Sequence, residues 1–242
     1  GHGVICLPPN MNHPVKVAER CATLDILSGG RLHVGFGKGG TEQEAGTFGY
    51  AKADLPPMIE EAMRLVPRFW TEGVVEHHGR FVDVPPRAIH PKPLQDPHPP
   101  LYQACTQTST LNDAGARGIG ALVLGFGGPD QVAEKNDVYR EAFRTRDPAN
   151  QVGSRPTEHL AALCPAIVMD DGAEARKTSE EVAAFYMSQI EKERAERVSA
   201  AAAAAAAGGP GSAAAASSSS LPSGWEERAR VRDAEAKAYG VA

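Results

Sequence analysis

Short apolar runs alternate with longer amphipathic stretches from the start of this 242-residue chain to about residue 198, and no other feature of the sequence restricts the fold so strongly. Residues 3–7 form an apolar run ended by Pro8 and Pro9, the signature of a buried strand followed by a breaker. Residues 31–37, 101–105, 120–125 and 160–169 repeat the pattern. Helical periodicity fills the intervals at 14–28, 56–71, 108–117 and 129–145, and a long helix follows at 173–198. Strands that alternate with helices pair in parallel through right-handed crossovers. The run Ala121–Leu124 is apolar on both faces, which suits a sheet covered by helices.

Local signals sharpen two of these elements. Helix 14–28 has Asn12 or His13 at its cap and Pro14 in the first turn, where a missing N–H costs nothing. Val17, Cys21, Leu24 and Leu27 recur at steps of three and four and predict its buried stripe. Gly29 and Gly30 stop it. Helix 56–71 turns Met58, Ala62, Leu65, Phe69 and Trp70 toward the core. Residues 38–55 read as a polar, glycine-bearing loop, 74–84 as a hairpin around Gly79, and 85–100 as a proline-rich approach to the strand at 101.

Residues 200–220 are almost wholly Ala, Ser, Gly and Pro. They read as a low-complexity linker whose alanine run can extend the helix before it. Three segments are therefore expected: a globular part at 1–198, a linker at 199–220 and a charged terminal segment at 221–242. A net charge of −5 argues against a nucleic-acid partner, which needs a dense basic face. No apolar run reaches the roughly 18 residues of a membrane span, and the first seven residues lack the basic region of a signal peptide. Cys6, Cys21, Cys105 and Cys164 form no CxxC pair, so buried thiols and a reducing, cytoplasmic setting are expected.

Residues 13–40 read HPVKVAERCATLDILSGGRLHVGFGKGG. This stretch resembles the bacterial luciferase-like family of flavin-dependent monooxygenases, in which a helix ending in LSGGR feeds a strand ending in glycines. The likeness continues through Phe48-Gly49, helix 56–71, the hairpin and Pro99-Pro100, and fades in the tail. It implies an eight-stranded (β/α) barrel, a fold that takes about 250 residues when complete. The first visible strand matches the family's third, so the resemblance implies a partial TIM barrel with the early strands and the eighth absent. It also implies reduced FMN as cofactor, or the deazaflavin F420 in a subfamily. A small organic substrate, a flavin reductase as electron source, and a homodimer through barrel helices follow from it as well. Helix 14–28, with its small Ala18 and Ala22, resembles one of the dimer helices.

Barrel active sites lie at the C-terminal ends of strands. After strand 31–37 stand Lys38, Gly39 and Gly40, a cation and exposed backbone amides of the kind that hold a phosphate. The resemblance assigns these three positions to the flavin phosphate; a glycine-rich turn with a solvated lysine is the other reading. After strand 101–105 the turn carries Thr106, Gln107, Ser109 and Thr110, which can cap a helix or bind an anion at its N-terminus. The resemblance closes these four around the same phosphate. Gly35, Gly37 and Gly40 also fit a dinucleotide-binding pattern, but no helix starts directly after them. His77 and His78 read as a solvated hairpin edge, His13 as helix entry, and Glu60-Glu61 and Asp170-Asp171 as helix-end or surface charges. His90, His98 and His159 have no neighbour at ligand spacing, so neither a metal site nor a nucleophile triad is expected. His33 points away from the face of Leu32 and Val34.

Overall fold

A computed structural model of the chain describes residues 2–6, 8, 10–39, 46–125, 128–164 and 166–206. The chain divides into two compact units, 1–163 and 164–242. The first holds strands β1 (His2–Cys6), β2 (His33–Gly37), β3 (Val75–His78), β4 (Asp83–Arg87), β5 (Leu101–Cys105), β6 (Gly120–Leu124) and β7 (Leu160–Leu163). Helices α1 (Pro14–Leu27), α2 (Leu55–Thr71), α3 (Thr108–Ala116) and α4 (Gly128–Arg144) lie between them. The described part of the second unit carries α5, Gly172–Ala206, so the alanine run begins as helix. Residues 207–242, including the charged segment at 221–242, lie outside the described residues.

Five strands form one parallel sheet in the order β1-β2-β5-β6-β7, and β3 and β4 form a separate antiparallel hairpin. Strand order follows chain order, and one core cluster joins the sheet to residues of α1, α2, α3 and α4. All four helices therefore cover the same face. That is the single winding of a β/α barrel, not the two-faced winding of an open doubly wound sheet. Among the described residues the sheet is open, with β1 and β7 at its edges.

Helix α2 buries Met58, Ala62, Leu65, Phe69 and Trp70, as its periodicity predicts. Helix α1 departs from its predicted stripe. Val17 and Cys21 are buried, but Leu24 is 53% and Leu27 77% exposed, and Ala18, Ala22 and Asp25 occupy the inner face instead. The alanines let α1 approach α2 closely enough for Trp70 Nε1 to donate to Ala18 O at 3.0 Å. Ala18 and Ala22 are thus used inside the chain and are not available as a dimer surface. Asp25 is wholly buried because the proline-rich segment brings two donors to it: Gln95 N at 2.9 Å and Gln95 Nε2 at 2.7 Å. His13 caps α1, its Nδ1 accepting from Val15 N at 3.3 Å.

Three other expectations change. Strand β7 stops at Leu163, well short of residue 169. Glu61 is no surface charge: its carboxylate accepts from Phe81 N, Val82 N and His77 Nε2 at 3.0–3.1 Å and ties the hairpin to α2. His77 is correspondingly partly buried, while His78 stays exposed between Asp83 and Glu76. Both carboxylates hold the His78 imidazole above its ordinary range, Asp83 most strongly. Glu60 receives Arg117 at 2.7 Å and also Arg64, joining α2 to the end of α3.

Candidate functional site at the C-terminal strand ends

Strands β2 and β5 are parallel neighbours, with Phe36 paired to Gln103. The segments that follow them therefore leave the sheet at the same end, side by side. From β2 come Lys38, which is exposed, and Gly39, whose φ of +67° only glycine adopts without strain. Gly40 lies outside the described residues. From β5 come Thr106 and Gln107, exposed, and then the first turn of α3 with Ser109 exposed.

The turn is built tightly. Gln107 is extended at the N-cap, and Thr110 Oγ1 accepts from Gln107 N at 3.2 Å while donating to Gln107 O at 2.7 Å. The Thr110 hydroxyl is thus spent on the cap, whereas Thr106 and Ser109 face outward at a helix N-terminus with no acidic residue in its first turn. Such an end carries partial positive charge and favours an anion. Behind the turn, Cys105 Sγ donates to Thr110 O at 3.2 Å, and burial pushes this thiol up to about 12. Cys105 is therefore a packing residue, since the thiolate is the nucleophile. Arg117 braces the other end of α3 by donating Nη1 to Gln103 Oε1 at 3.0 Å and Nη2 to Glu60. At the next strand, Lys135 Nζ donates to Leu124 O, the last carbonyl of β6, at 2.5 Å.

The opposite end of the sheet holds a cluster that sequence reasoning missed. Tyr102 Oη lies 3.0 Å from His33 Nδ1 and 3.2 Å from His159 Nδ1, joining β2, β5 and the residue before β7. Gly120 makes room for the Tyr102 ring, because a Cβ there would meet Tyr102 Cδ1 at 2.3 Å. Conserving strand alternation places His33 and Tyr102 on one face, and that was the available signal; the partner from residue 159 gives none. His98 is buried, donating Nδ1 to Pro99 O at 2.8 Å and accepting at Nε2 from Ser154 N at 2.9 Å. Among the described residues no group of three His, Cys, Asp or Glu could hold a metal ion, and no helix is long and apolar enough to cross a membrane.

A singly wound parallel sheet with its helices on one face is the architecture of part of a β/α barrel. The particular family follows from comparison: the model of the luciferase-like monooxygenases matches residues 2–239, and the chain belongs to that family. It is similar to the oxygenase component of the flavin-dependent trigonelline monooxygenase of Acinetobacter baylyi, 28% identical over 188 residues, which are 77% of this chain and 50% of that protein. Among solved structures it resembles the monooxygenase RslO1 of Streptomyces bottropensis, at TM-score 0.62 and 27% identity, covering 80% of this chain and 61% of that one. Its fold also matches the oxygenating constituent of 3,6-diketocamphane monooxygenase of Pseudomonas putida in complex with FMN, at TM-score 0.61 and 22% identity, covering 78% and 55%. The chain spans between 34% and 50% of the length of the first two curated relatives.

Proposed function

We propose that this chain carries the flavin-phosphate site of a flavin-dependent monooxygenase that uses FMN. The observation behind this reading is the adjacency of two anion-suited segments, Lys38–Gly39 and Thr106–Ser109, at the C-terminal ends of neighbouring parallel strands. The residues fit the group. An ammonium, a glycine turn and a helix N-terminus converge on one rim, and no acidic side chain in the first turn of α3 opposes a phosphate. Gly40 follows Gly39 in the sequence, and Gln107 and Thr110 hold the turn after β5 in shape. Reduced FMN, when bound, supplies the electrons with which oxygen is activated toward a small organic substrate. The chain's own residues bind the phosphate, orient the ring and close off water.

In this reading reduced flavin comes from a separate reductase, as the term oxygenase component implies for the trigonelline relative. The protein pairs with a second copy through the side of α1 left exposed, which carries Leu24, Ile26 and Leu27. The test of the site is an FMN titration of the chain and of Lys38→Ala and Ser109→Asp variants, with F420 as competing ligand. Loss of the lysine contact weakens FMN about tenfold, in keeping with one charge-assisted hydrogen bond, and the introduced carboxylate weakens it further. Equal FMN affinity in all three proteins refutes the assignment, and preferential F420 binding moves it to the deazaflavin.

A further inference from the structure

The connection from α4 to β7 passes the N-terminal ends of β5 and β6, and one imidazole fastens its middle. Val152 N donates to Arg117 O and Thr157 N to Gly118 O, both at 2.9 Å, so the two ends of the connection are pinned beside the start of β6. Between them, Ser154 N donates to His98 Nε2 at 2.9 Å. The approach is close. Gly153 has a φ of +77°, and a Cβ there would meet His98 Nε2 at 2.6 Å and Leu101 Cδ1 at 2.9 Å. His98 itself is wholly buried.

These bonds fix the tautomer. Pro99 O accepts and cannot donate, so His98 Nδ1 carries the proton that spans the 2.8 Å between them. Ser154 N donates and cannot accept, so His98 Nε2 must stay bare. A proton added at Nε2 would set one N–H against another and create a buried cation, which is strongly disfavoured. Among the described residues no carboxylate acts on the ring to offset it. Trp70 of α2 stands 6.2 Å away as a tilted ring, Leu101 of β5 is apolar, and the charged neighbour on the connection is Arg155, a second cation. Burial holds the imidazole below its ordinary range, and Arg155 adds to this against the Pro99 bond. The closed connection therefore resists a second proton, whereas an open one admits it at the ordinary imidazole value of about 6.5.

We propose that His98 is a proton-operated latch: protonation of Nε2 releases residues 153–156 from the N-terminal end of the sheet while the sheet itself stays folded. Opening uncovers Leu101 at the foot of β5, which Gly153 otherwise covers. One proton bound by the open form alone raises the opening constant about 30-fold between about pH 7.5 and pH 5. Amide hydrogen exchange of the whole chain, corrected for the intrinsic pH dependence of exchange, reads that constant at Ser154. Protection of Ser154 N falls about 30-fold over this range, whereas the amides of the β5–β6 ladder keep theirs. His98→Gln presents an oxygen to Ser154 N and does not titrate, so protection becomes flat with pH. His159→Gln, which removes an imidazole bonded to Tyr102 and not to the connection, leaves the fall in place. A change below about threefold at Ser154, an equal loss across the ladder, a fall that survives His98→Gln, or one that vanishes in His159→Gln would each overturn the proposal. Should His98→Gln fail to fold, the imidazole nitrogen-15 shifts of the unaltered chain decide. A bare Nε2 at about pH 6 with Ser154 still protected supports the latch, and a ring protonated on both nitrogens in that protected state overturns it.

Discussion

Gly115 sits where α3 crosses α4, and replacing it with alanine tests how α3, the helix that carries the Thr106–Thr110 turn, is held. A Cβ at this position would lie 2.7 Å from Ala142 Cβ, 2.7 Å from Phe143 N and 2.8 Å from Tyr139 O. Two of those atoms are backbone, so no side chain can swing aside. Relief requires the helices to part by about 0.8 Å, the shortfall from ordinary carbon contact. Opposing effects compete. Alanine favours a helix interior over glycine by about 1 kcal/mol, whereas overpacking costs about 1–3 kcal/mol and sits at the upper end when backbone must move. The clash wins, leaving Gly115→Ala about 1–2 kcal/mol less stable. At a urea slope of about 2 kcal/mol/M, the unfolding midpoint falls by about 0.5–1 M. Asn112→Ala, on the exposed side of the same helix, gains the propensity without the clash and holds or raises the midpoint. A midpoint for Gly115→Ala at or above that of the unaltered chain would refute the close-packing argument.

Other outcomes follow from buried polar groups and thiols. Asp25→Ala strips Gln95 N of its acceptor and leaves Gln95 Nε2 with Leu32 O alone, so thermal unfolding should show a loss of about 2 kcal/mol; an unchanged melting temperature contradicts the role given to Asp25. Burial holds the His98 imidazole below its ordinary range. Its contribution is therefore complete above the unfolded value of about 6.5 and is lost as pH falls below it. Urea melts between pH 7.5 and 5 should show a decline that His98→Gln lessens, and equal pH slopes in the two proteins count against it. Cys21 and Cys105, pushed up to about 11 and about 12 by burial, should resist iodoacetamide at pH 8, while exposed Cys164 reacts; peptide mass mapping of the labelled native chain reads this directly.

Much of the architecture was legible because it is written in local pattern. Strand runs bounded by glycine and proline, the α2 stripe and the Gly79 hairpin all depend on neighbours within a few residues. The stripe of α1 was misread for the converse reason. Hydropathy counts Leu24 and Leu27 as inward, yet Asp25 takes the inner position because Gln95, 70 residues away, brings it two donors. Glu61 and Glu60 looked like surface charges until the hairpin amides and Arg117 were folded onto them. At the candidate site, the two loops were legible as strand-end turns, since Gly39 and the Thr106–Thr110 hydroxyls are local signals. Their adjacency comes from the pairing of β2 with β5, which only the topology supplies. The His33–Tyr102–His159 cluster draws on three separate segments, and beyond the alternation of His33 and Tyr102 within their own strands it left no local trace.

The central claim is a phosphate site at the C-terminal rim, and the comparison of FMN with riboflavin tests it most directly, because the two differ only in the phosphate. Isothermal titration of the chain with each ligand should give FMN binding at least about tenfold tighter than riboflavin, and Lys38→Ala should remove most of that difference. Equal affinities for FMN and riboflavin, or a difference that survives Lys38→Ala unchanged, would contradict the account.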